Sequence, residues 1–214
     1  MGPEATGIFY LKLIKRLQEK NMIICNQDFP QIIINSIPAK ELVEENISKN
    51  DLNIYLKGLK ELDAFSVDFI VMVCNTIYLF RKKLQKNIKT PIIDLKKEVY
   101  KEIIKSRKQK ILVLGTQITI KKLYNFSKIK IFKPNKKEIN IISKSIFLFN
   151  SGKNKKEQVI KVKNIIKKYF GKGAKIVILG CTELGVMLEK ENIQKIDSID
   201  VLVEFVIKKM KEEN

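Results

Sequence analysis

Two hydrophobic patterns alternate along the chain. One repeats apolar residues at the three- to four-residue spacing of an amphipathic helix, as at Ile8, Leu11, Ile14 and Leu17. The other is a short unbroken apolar run, which is typical of a strand buried on both faces of a parallel sheet. The first pattern predicts helices over 4–20, 52–64, 77–85, 95–105, 138–149, 157–169 and 198–211, and the second predicts strands over 31–35, 68–74, 90–94, 110–114, 129–132 and 175–179. This alternation indicates an α/β fold with parallel sheets.

One buried run ends at a cysteine. Asp68–Val73 leads into Cys74, and the next residues are Asn75 and Thr76. Asn and Thr are favoured where helices begin, so we expect Cys74 to lie between the end of a strand and the start of a helix. The positive end of a helix stabilises a thiolate, and we therefore expect a lowered pKa for this thiol.

A second stretch repeats this arrangement. The run Lys175–Gly180 leads into Cys181, followed by Thr182 and Glu183. Either cysteine alone is equally well explained as a small buried side chain at a strand end. Because the carboxyl ends of parallel strands meet at one edge of a sheet, where open α/β folds bind ligands, we expect the two thiols to share a site.

The two cysteine motifs together resemble those of the aspartate/glutamate racemase superfamily, most closely its amino-acid racemase branch. The opening Met1–Thr6 is similar to that family's first substrate loop, and the resemblance runs nearly from end to end. It implies two pseudo-symmetric lobes, each a mainly parallel sheet flanked by helices, with the active site between them. The first lobe would hold residues 1–94 and the last helix, 199–214, and the second lobe residues 95–198.

The resemblance also implies a mechanism that uses no pyridoxal phosphate or other cofactor. Inverting an α-carbon requires removing its proton from one face and returning a proton to the other face. One thiolate and one thiol on opposite sides of the substrate meet this need. The resemblance therefore makes Cys74 and Cys181 the predicted catalytic pair, and it predicts an isomerase that racemises an amino acid.

Several further side chains are predicted to bind the substrate. Helix N-termini offer unpaired N–H groups and a favourable field for anions, so residues beside the thiols can hold a carboxylate, although capping the helix alone would also explain them. Glu183 either orients the second thiol or favours the first helical turn. The predicted contacts are Met1 of the first substrate loop, Asn75, Thr76 and Thr182 beside the thiols, Thr116 and Thr119 at a similar strand end, and Glu183.

Substrate preference is predicted from two lysines. Lys40 follows Ile37-Pro38-Ala39 at a position where many relatives of this family carry an arginine. A lysine supplies a point charge in place of the arginine fork, and it can still meet a side-chain carboxylate. Lys153 is a second candidate cation, with a surface lysine as the alternative. Together they favour aspartate or glutamate as the substrate.

Composition argues against a specific nucleic-acid-binding protein and against histidine-dependent catalytic or metal sites. The net charge is +19, but 39 of the 42 basic residues are lysines spread over most predicted helices, and Arg16, Arg81 and Arg107 are the only arginines. Specific nucleic-acid sites favour arginine, so we expect a solvated surface and no specific nucleic-acid partner. The chain has no histidine, which excludes Ser-His-Asp and Cys-His hydrolases and histidine-ligated metals.

Cysteine usage and hydropathy predict location. Three cysteines without paired spacing fit a reducing cytoplasm, and Cys25 is predicted to be a packed side chain. No apolar run approaches the ~20 residues of a membrane span, so we expect no membrane partner. The expected partners are a small amino-acid substrate and a second copy of the chain in a homodimer.

Two alternatives to an aspartate or glutamate racemase remain. One is a thiol-dependent isomerase or racemase of another carboxylate, and the other is an inactive relative that binds ligands through a basic surface. The resemblance implies a strand ahead of Met1, and without it the first lobe is expected to lack a central strand. Retention of both cysteines favours an active enzyme.

Overall fold

A four-stranded parallel sheet forms the centre of the computed structural model, which describes residues 2–40, 42, 47–126 and 129–213. The strand order is β2-β1-β3-β4. Strand bounds are β1 Lys110–Gly115, β2 Lys130–Phe132, β3 Ile176–Gly180 and β4 Lys195–Asp197. All three pairings are parallel. The predicted α/β class is confirmed.

Eight α-helices occur within the described ranges, and six of the seven predicted helical segments match one of them to within a few residues. The predicted segment 77–85 divides into a helical turn and a short helix, and the helix at 182–187 is additional to the predicted ones. Asn135 begins one of the eight helices. Its side-chain oxygen accepts a hydrogen bond from the backbone N–H of Glu138, and the Glu138 carboxylate accepts one from the backbone N–H of Asn135. The helices are α1 Pro3–Glu19, α2 Lys49–Ala64, α3 Arg81–Gln85, α4 Leu95–Ser106, α5 Lys136–Asn150, α6 Lys155–Gly171, α7 Thr182–Met187 and α8 Ser198–Glu213, with short helical turns at Asn26–Asp28, Thr76–Phe80 and Thr119–Leu123.

The two central strands are buried on both faces. Along β1 and β3, Leu112 and Leu179 pack into a core shared with α5 and α6. Ile111 and Ile178 point to the other face, into a larger core built mostly from residues before 104 and from α8. Burial on both faces explains why these strands appear in the sequence as unbroken apolar runs.

Glycines end both central strands. Gly115 and Gly180 are register partners, and a Cβ on Gly115 would lie 2.7 Å from the carbonyl oxygen of Gly180. That distance is shorter than any real contact, so the two strand ends approach this closely only because the side chains are absent. The result is a tight edge at the carboxyl end of the sheet, immediately before Cys181.

The strands predicted in the first half do not form a ladder. In the described part of residues 2–94, the parallel pairing is a single bridge between Ile70 and Ile92. The predicted strand at 31–35 does not form, and a cavity of about 450 Å³ is lined by residues 31–33 and 67–71. The predicted strands at 68–74 and 90–94 do pair in parallel at the Ile70–Ile92 bridge, and the division into two lobes stays a prediction.

The last helix packs on the first half of the chain. The Arg16 guanidinium of α1 lies 3.2 Å from the Glu204 carboxylate of α8, and the rings of Phe69 and Phe205 meet edge to face at 5.7 Å. These contacts hold the segment that leads into Cys74 against α8. In the described ranges, no helix combines the length and the apolar character that crossing a membrane would need.

Candidate active site

Both predicted catalytic thiols line one cavity of about 740 Å³. Cys74 follows the segment that ends at Val73, and Cys181 follows β3, so both cysteines lie at the carboxyl end of the segment before them and line the same cavity. Cys74 is half-buried and Cys181 is buried. The described residues lining the cavity are Gly2, Pro3, Glu4, Ser36, Ile37, Pro38, Ala39, Lys40, Leu42, Tyr55, Cys74, Thr76, Thr116, Ser143, Ile146, Phe147, Asn150, Cys181 and Glu183.

Cys74 lies at the start of a helical turn. The backbone N–H groups of Thr76 and Ile77 donate to its sulfur, which favours the thiolate. Burial acts in the opposite direction and is the larger effect, and the Glu183 carboxylate adds to it, so the pKa of Cys74 is raised above its usual value. The expectation of a lowered pKa is wrong, because the helix start is outweighed by desolvation of the sulfur.

Cys181 has an anionic neighbour. Its thiol donates a hydrogen bond to the Glu183 carboxylate across 2.7 Å. Burial, the charge of Glu183 and this hydrogen bond all raise the pKa of Cys181 well above its usual value, and the charge on an ionised Cys74 raises it further. The two thiols therefore differ in one respect: Cys181 donates a hydrogen bond to the Glu183 carboxylate, whereas that carboxylate acts on Cys74 through its charge.

Three threonine hydroxyls form a closed triangle beside Cys74. The hydroxyl of Thr76 lies 3.2 Å from that of Thr116 and 3.1 Å from that of Thr119, and Thr116 donates to Thr119 across 2.9 Å. All three are buried, and Thr76 and Thr116 also line the cavity. The structure thus brings together three of the predicted substrate-binding residues, with Thr119 behind the other two.

Two other predicted contacts lie beneath the cavity wall. Asn75 is 1 % exposed, with its side chain bonded to Tyr124 and Ser198. Thr182 is buried and donates either to the Val73 carbonyl or to the Glu183 carboxylate. Neither side chain lines the cavity, so both connect the two thiol-bearing loops instead of facing a ligand.

The two predicted cations are placed differently. Lys40 lines the cavity, in a loop held by a hydrogen bond from the Tyr55 hydroxyl to the Lys40 carbonyl at 3.2 Å. Lys153 is exposed in the turn between α5 and α6 and is not among the described lining residues. Its neighbour Lys155 forms a 2.9 Å ion pair with Glu4 at the cavity wall. Met1 lies outside the described residues.

Several lining residues were not found from the sequence. Ser143, Phe147 and Asn150 project from α5 at helical spacing, a pattern indistinguishable in the sequence from an ordinary surface face. Tyr55 comes from α2. No cluster of three or more metal-binding side chains occurs in the part of the chain that the structure describes.

Cys25 is a correction at some distance from this cavity. Cys25 is exposed at the start of the turn Asn26–Asp28, and its backbone N–H donates a 2.8 Å hydrogen bond to the Asp28 carboxylate. The prediction of a packed side chain is wrong because the turn directs this residue to the surface. The cysteines thus divide into one exposed thiol and the two that line the cavity.

Comparisons with known proteins find racemases that are similar to this chain. A broad-specificity amino-acid racemase of Bacillus subtilis (strain 168) is 30% identical over 141 residues, which cover 65% of this chain and 60% of that protein. The structure of an aspartate racemase homologue from Pyrococcus horikoshii OT3 matches with a TM-score of 0.70 and 28% identity, covering 96% of this chain and 93% of the other. The Picrophilus torridus aspartate racemase matches with a TM-score of 0.78 and 24% identity, covering 98% and 90%.

These likenesses confirm the resemblance found in the two cysteine motifs. The Bacillus relative is matched over less than two thirds of its length. The family model described as Asp/Glu/Hydantoin racemase matches residues 1–206, nearly the whole chain. The chain therefore belongs to the Asp/Glu/hydantoin racemase family, a family of isomerases.

Proposed function

We propose that the protein racemises an amino acid without pyridoxal phosphate, using Cys74 and Cys181 as the two proton-transfer groups. The observation that carries this proposal is the cavity itself, which both sulfurs line. Their unequal settings support it further, because one thiolate and one thiol are needed at the same time. Burial and the charge of Glu183 raise the pKa of both thiols, and the direct hydrogen bond to Glu183 raises the pKa of Cys181 further, so Cys74 is the first of the two to lose its proton.

The reaction balances with these two groups alone. A thiolate takes the Cα proton, and the electron pair of the broken C–H bond is delocalised into the α-carboxylate. The thiol on the opposite face then gives its proton to Cα and becomes the thiolate. Each turnover thus exchanges the protonation states of the two sulfurs, and proton exchange with water restores the starting state. Reversal of direction exchanges their roles.

In this proposal, hydroxyl groups of the threonine triangle bind the α-carboxylate of the substrate. Thr76 and Thr116 line the cavity beside Cys74, and each hydroxyl can rotate to donate to an anion. Thr119 lies behind them and offers a hydroxyl that keeps the other two oriented. A carboxylate held by such donors also stabilises the negative charge that develops during Cα deprotonation.

We infer an acidic substrate, aspartate or glutamate, from Lys40. Its loop, with Ile37 to Ala39, forms one wall of the cavity that holds both thiols. A lysine there attracts a second carboxylate, and the charge-assisted contact adds affinity for acidic side chains. The names of the relatives support a preference within a broader range, since one is an aspartate racemase and another is of broad specificity.

Deuterium labelling tests the two-thiol proposal. In deuterated water the wild type should incorporate deuterium at Cα while it racemises aspartate or glutamate without added cofactor. Cys74→Ala and Cys181→Ala should each abolish racemisation, because inversion needs a donor opposite the base. Each variant should still exchange the Cα proton of one enantiomer, and the two variants should prefer opposite enantiomers.

Cys25→Ala is the matched control, because it removes the exposed thiol and should leave both activities unchanged. A general loss of folding would not produce opposite preferences in the two variants. Racemisation at the wild-type rate by Cys181→Ala would refute the mechanism.

A further inference from the structure

Tyr124 lies between the two loops that carry the thiols. It follows the helical turn Thr119–Leu123 and is fully buried, with none of its surface exposed. Its hydroxyl donates a 2.5 Å hydrogen bond to the side-chain carbonyl of Asn75, the residue directly after Cys74. The side chain therefore contacts the Cys74 loop from below, outside the cavity lining.

The ring of the same tyrosine contacts the other loop. A Cβ placed on Gly180 would lie 3.2 Å from Cε2 of Tyr124, so the ring packs directly over the glycine that precedes Cys181. A side chain at residue 180 would push the ring away. Tyr124 thus spans from the residue before one thiol to the residue after the other.

A second connection runs in parallel. The Asn75 amide donates to the Ser198 hydroxyl at 2.8 Å, and Ser198 donates to the carbonyl of Leu179 at 3.3 Å. Leu179 lies in β3, two residues before Cys181. Asn75 and Ser198 are both buried, so these hydrogen bonds are protected from competition by water.

We propose that Tyr124, with Ser198, is a positioning residue that sets the separation of Cys74 and Cys181 by joining their loops through Asn75. This inference rests on the two-thiol reaction as the use to which that separation is put. Neither residue lines the cavity, and both act through Asn75 and the end of β3.

The separation matters because inversion requires both sulfurs to reach the same carbon from opposite faces. A displacement of about 1 Å can cost about 10²-fold in rate. Burial raises the pKa of Tyr124 well above its usual value, so its hydroxyl remains a donor throughout the pH range of enzyme assays. Ionisation of Tyr124 therefore does not break this hydrogen bond in that range.

The first measurement uses kinetics of Tyr124→Phe and Ser198→Ala. Tyr124→Phe keeps the ring on Gly180 and removes only the hydroxyl. We expect kcat for racemisation to fall about tenfold or more in Tyr124→Phe while KM stays within about twofold. In deuterated water, the deuterium incorporated into substrate of unchanged configuration should rise relative to the deuterium incorporated into the inverted product. The reason is that the Cα proton is then removed more often than a deuteron is delivered to the opposite face.

Tyr169→Phe is the matched control. Its hydroxyl donates either to the Lys133 carbonyl or to the Glu138 carboxylate, and it is not among the described residues that line the cavity. It should cost stability without changing the ratio of exchange to inversion. Unchanged kcat and an unchanged ratio in both Tyr124→Phe and Ser198→Ala would overturn the inference.

The second measurement does not depend on activity. In a Cys25→Ser background, a short bis-electrophile that joins Cys74 to Cys181 should react less completely in Tyr124→Phe than in Tyr169→Phe or the parent. If the parent racemised no amino acid but the cross-linking difference held, the proposed function would fail and the positioning role would stand. Equal cross-linking in all three proteins would refute the positioning role whatever the activity.

Discussion

The Cys181 thiol donates a hydrogen bond to the Glu183 carboxylate across 2.7 Å. The same carboxylate raises the pKa of Cys74, since it lines the cavity that both sulfurs share. One acidic side chain therefore acts on both predicted catalytic groups, and it acts on Cys181 through both its charge and a direct bond. Glu183 therefore adds to the effect of burial in opposing formation of either thiolate.

Glu183→Gln should lower the pKa of both thiols. Removing the negative charge removes an effect that raises both values, while the glutamine oxygen can still accept from Cys181. The thiolates then form at lower pH, so the rise of kcat/KM with pH and the alkylation rates of Cys74 and Cys181 should both shift to lower pH. Glu4→Gln, at another cavity carboxylate, should leave the alkylation profiles in place; an unshifted profile in folded Glu183→Gln would contradict this prediction.

Lys40→Ala should weaken turnover of acidic amino acids selectively. Loss of one charge-assisted contact costs about 1.5–3 kcal/mol, which corresponds to roughly a 10- to 100-fold fall in kcat/KM for aspartate or glutamate. Neutral amino acids should be affected far less. Lys153→Ala, in the exposed turn after α5, should change neither class. Equal losses for acidic and neutral substrates would remove Lys40 from substrate selection.

Asp197→Asn should change how stability depends on pH. Burial raises the pKa of Asp197 from 3.8 to about 6, so between these values the folded state holds a proton that the unfolded state has released. Wild-type stability from this group is therefore highest at low pH and falls by about 2–3 kcal/mol as pH rises through that window. The free energy of unfolding of Asp197→Asn minus that of the wild type, measured with urea, should rise by this amount between pH 4 and pH 7 or so.

The Asp197 experiment has a control of opposite sign. Hydrogen bonds from Thr90 lower the pKa of Asp63, so its contribution to stability is present above its ordinary pKa and is lost as pH falls through the lowered value. The free energy of unfolding of Asp63→Asn minus that of the wild type should therefore fall as pH rises. A difference for Asp197→Asn that does not vary with pH would show that its carboxyl ionises freely in the folded protein.

A strand fused ahead of Met1 should stabilise the protein. The cavity between residues 31–33 and 67–71 is lined by apolar side chains that include Phe9, Leu13 and Val206. A five-residue valine- and isoleucine-rich segment that pairs there would bury several side chains, each contributing about 1.5–3 kcal/mol. Its thermal midpoint should rise clearly above that of a Gly-Ser extension of equal length. Equal midpoints would show that the cavity does not accept a strand.

The sequence was most informative where structure is local. The strands around Val113 and Ile178 could be predicted because burial on both faces leaves an unbroken apolar run, and the two thiols could be predicted because each follows such a run and precedes a helix start. The run before Cys74 has the same character, but a ladder also requires a neighbour at hydrogen-bonding distance. Ile70 has such a neighbour in Ile92, but the segment also borders the cavity, and no local pattern encodes which neighbours a run acquires.

Long-range contacts and burial account for the rest of the site. Tyr124 is an ordinary aromatic residue in the sequence, and its position depends on the absence of a side chain at Gly180. The pKa of Cys74 was predicted in the wrong direction because the local helix start was considered without the desolvation that tertiary packing imposes. Lys153 was predicted as a second cation, but it is Lys155, two residues later, that pairs with Glu4, and the turn at Gly152 does not reveal this in the sequence.

The unequal surroundings of the two sulfurs have a kinetic consequence. Enantiomers have equal free energies, so the equilibrium constant of a racemisation is unity and no protein can alter it. The direct hydrogen bond from Cys181 to the Glu183 carboxylate nevertheless makes the two directions start from differently stabilised forms of the enzyme. The two enantiomers should therefore have different kcat values. Because kcat/KM must be identical for both, the faster enantiomer has to be the one with the proportionally larger KM.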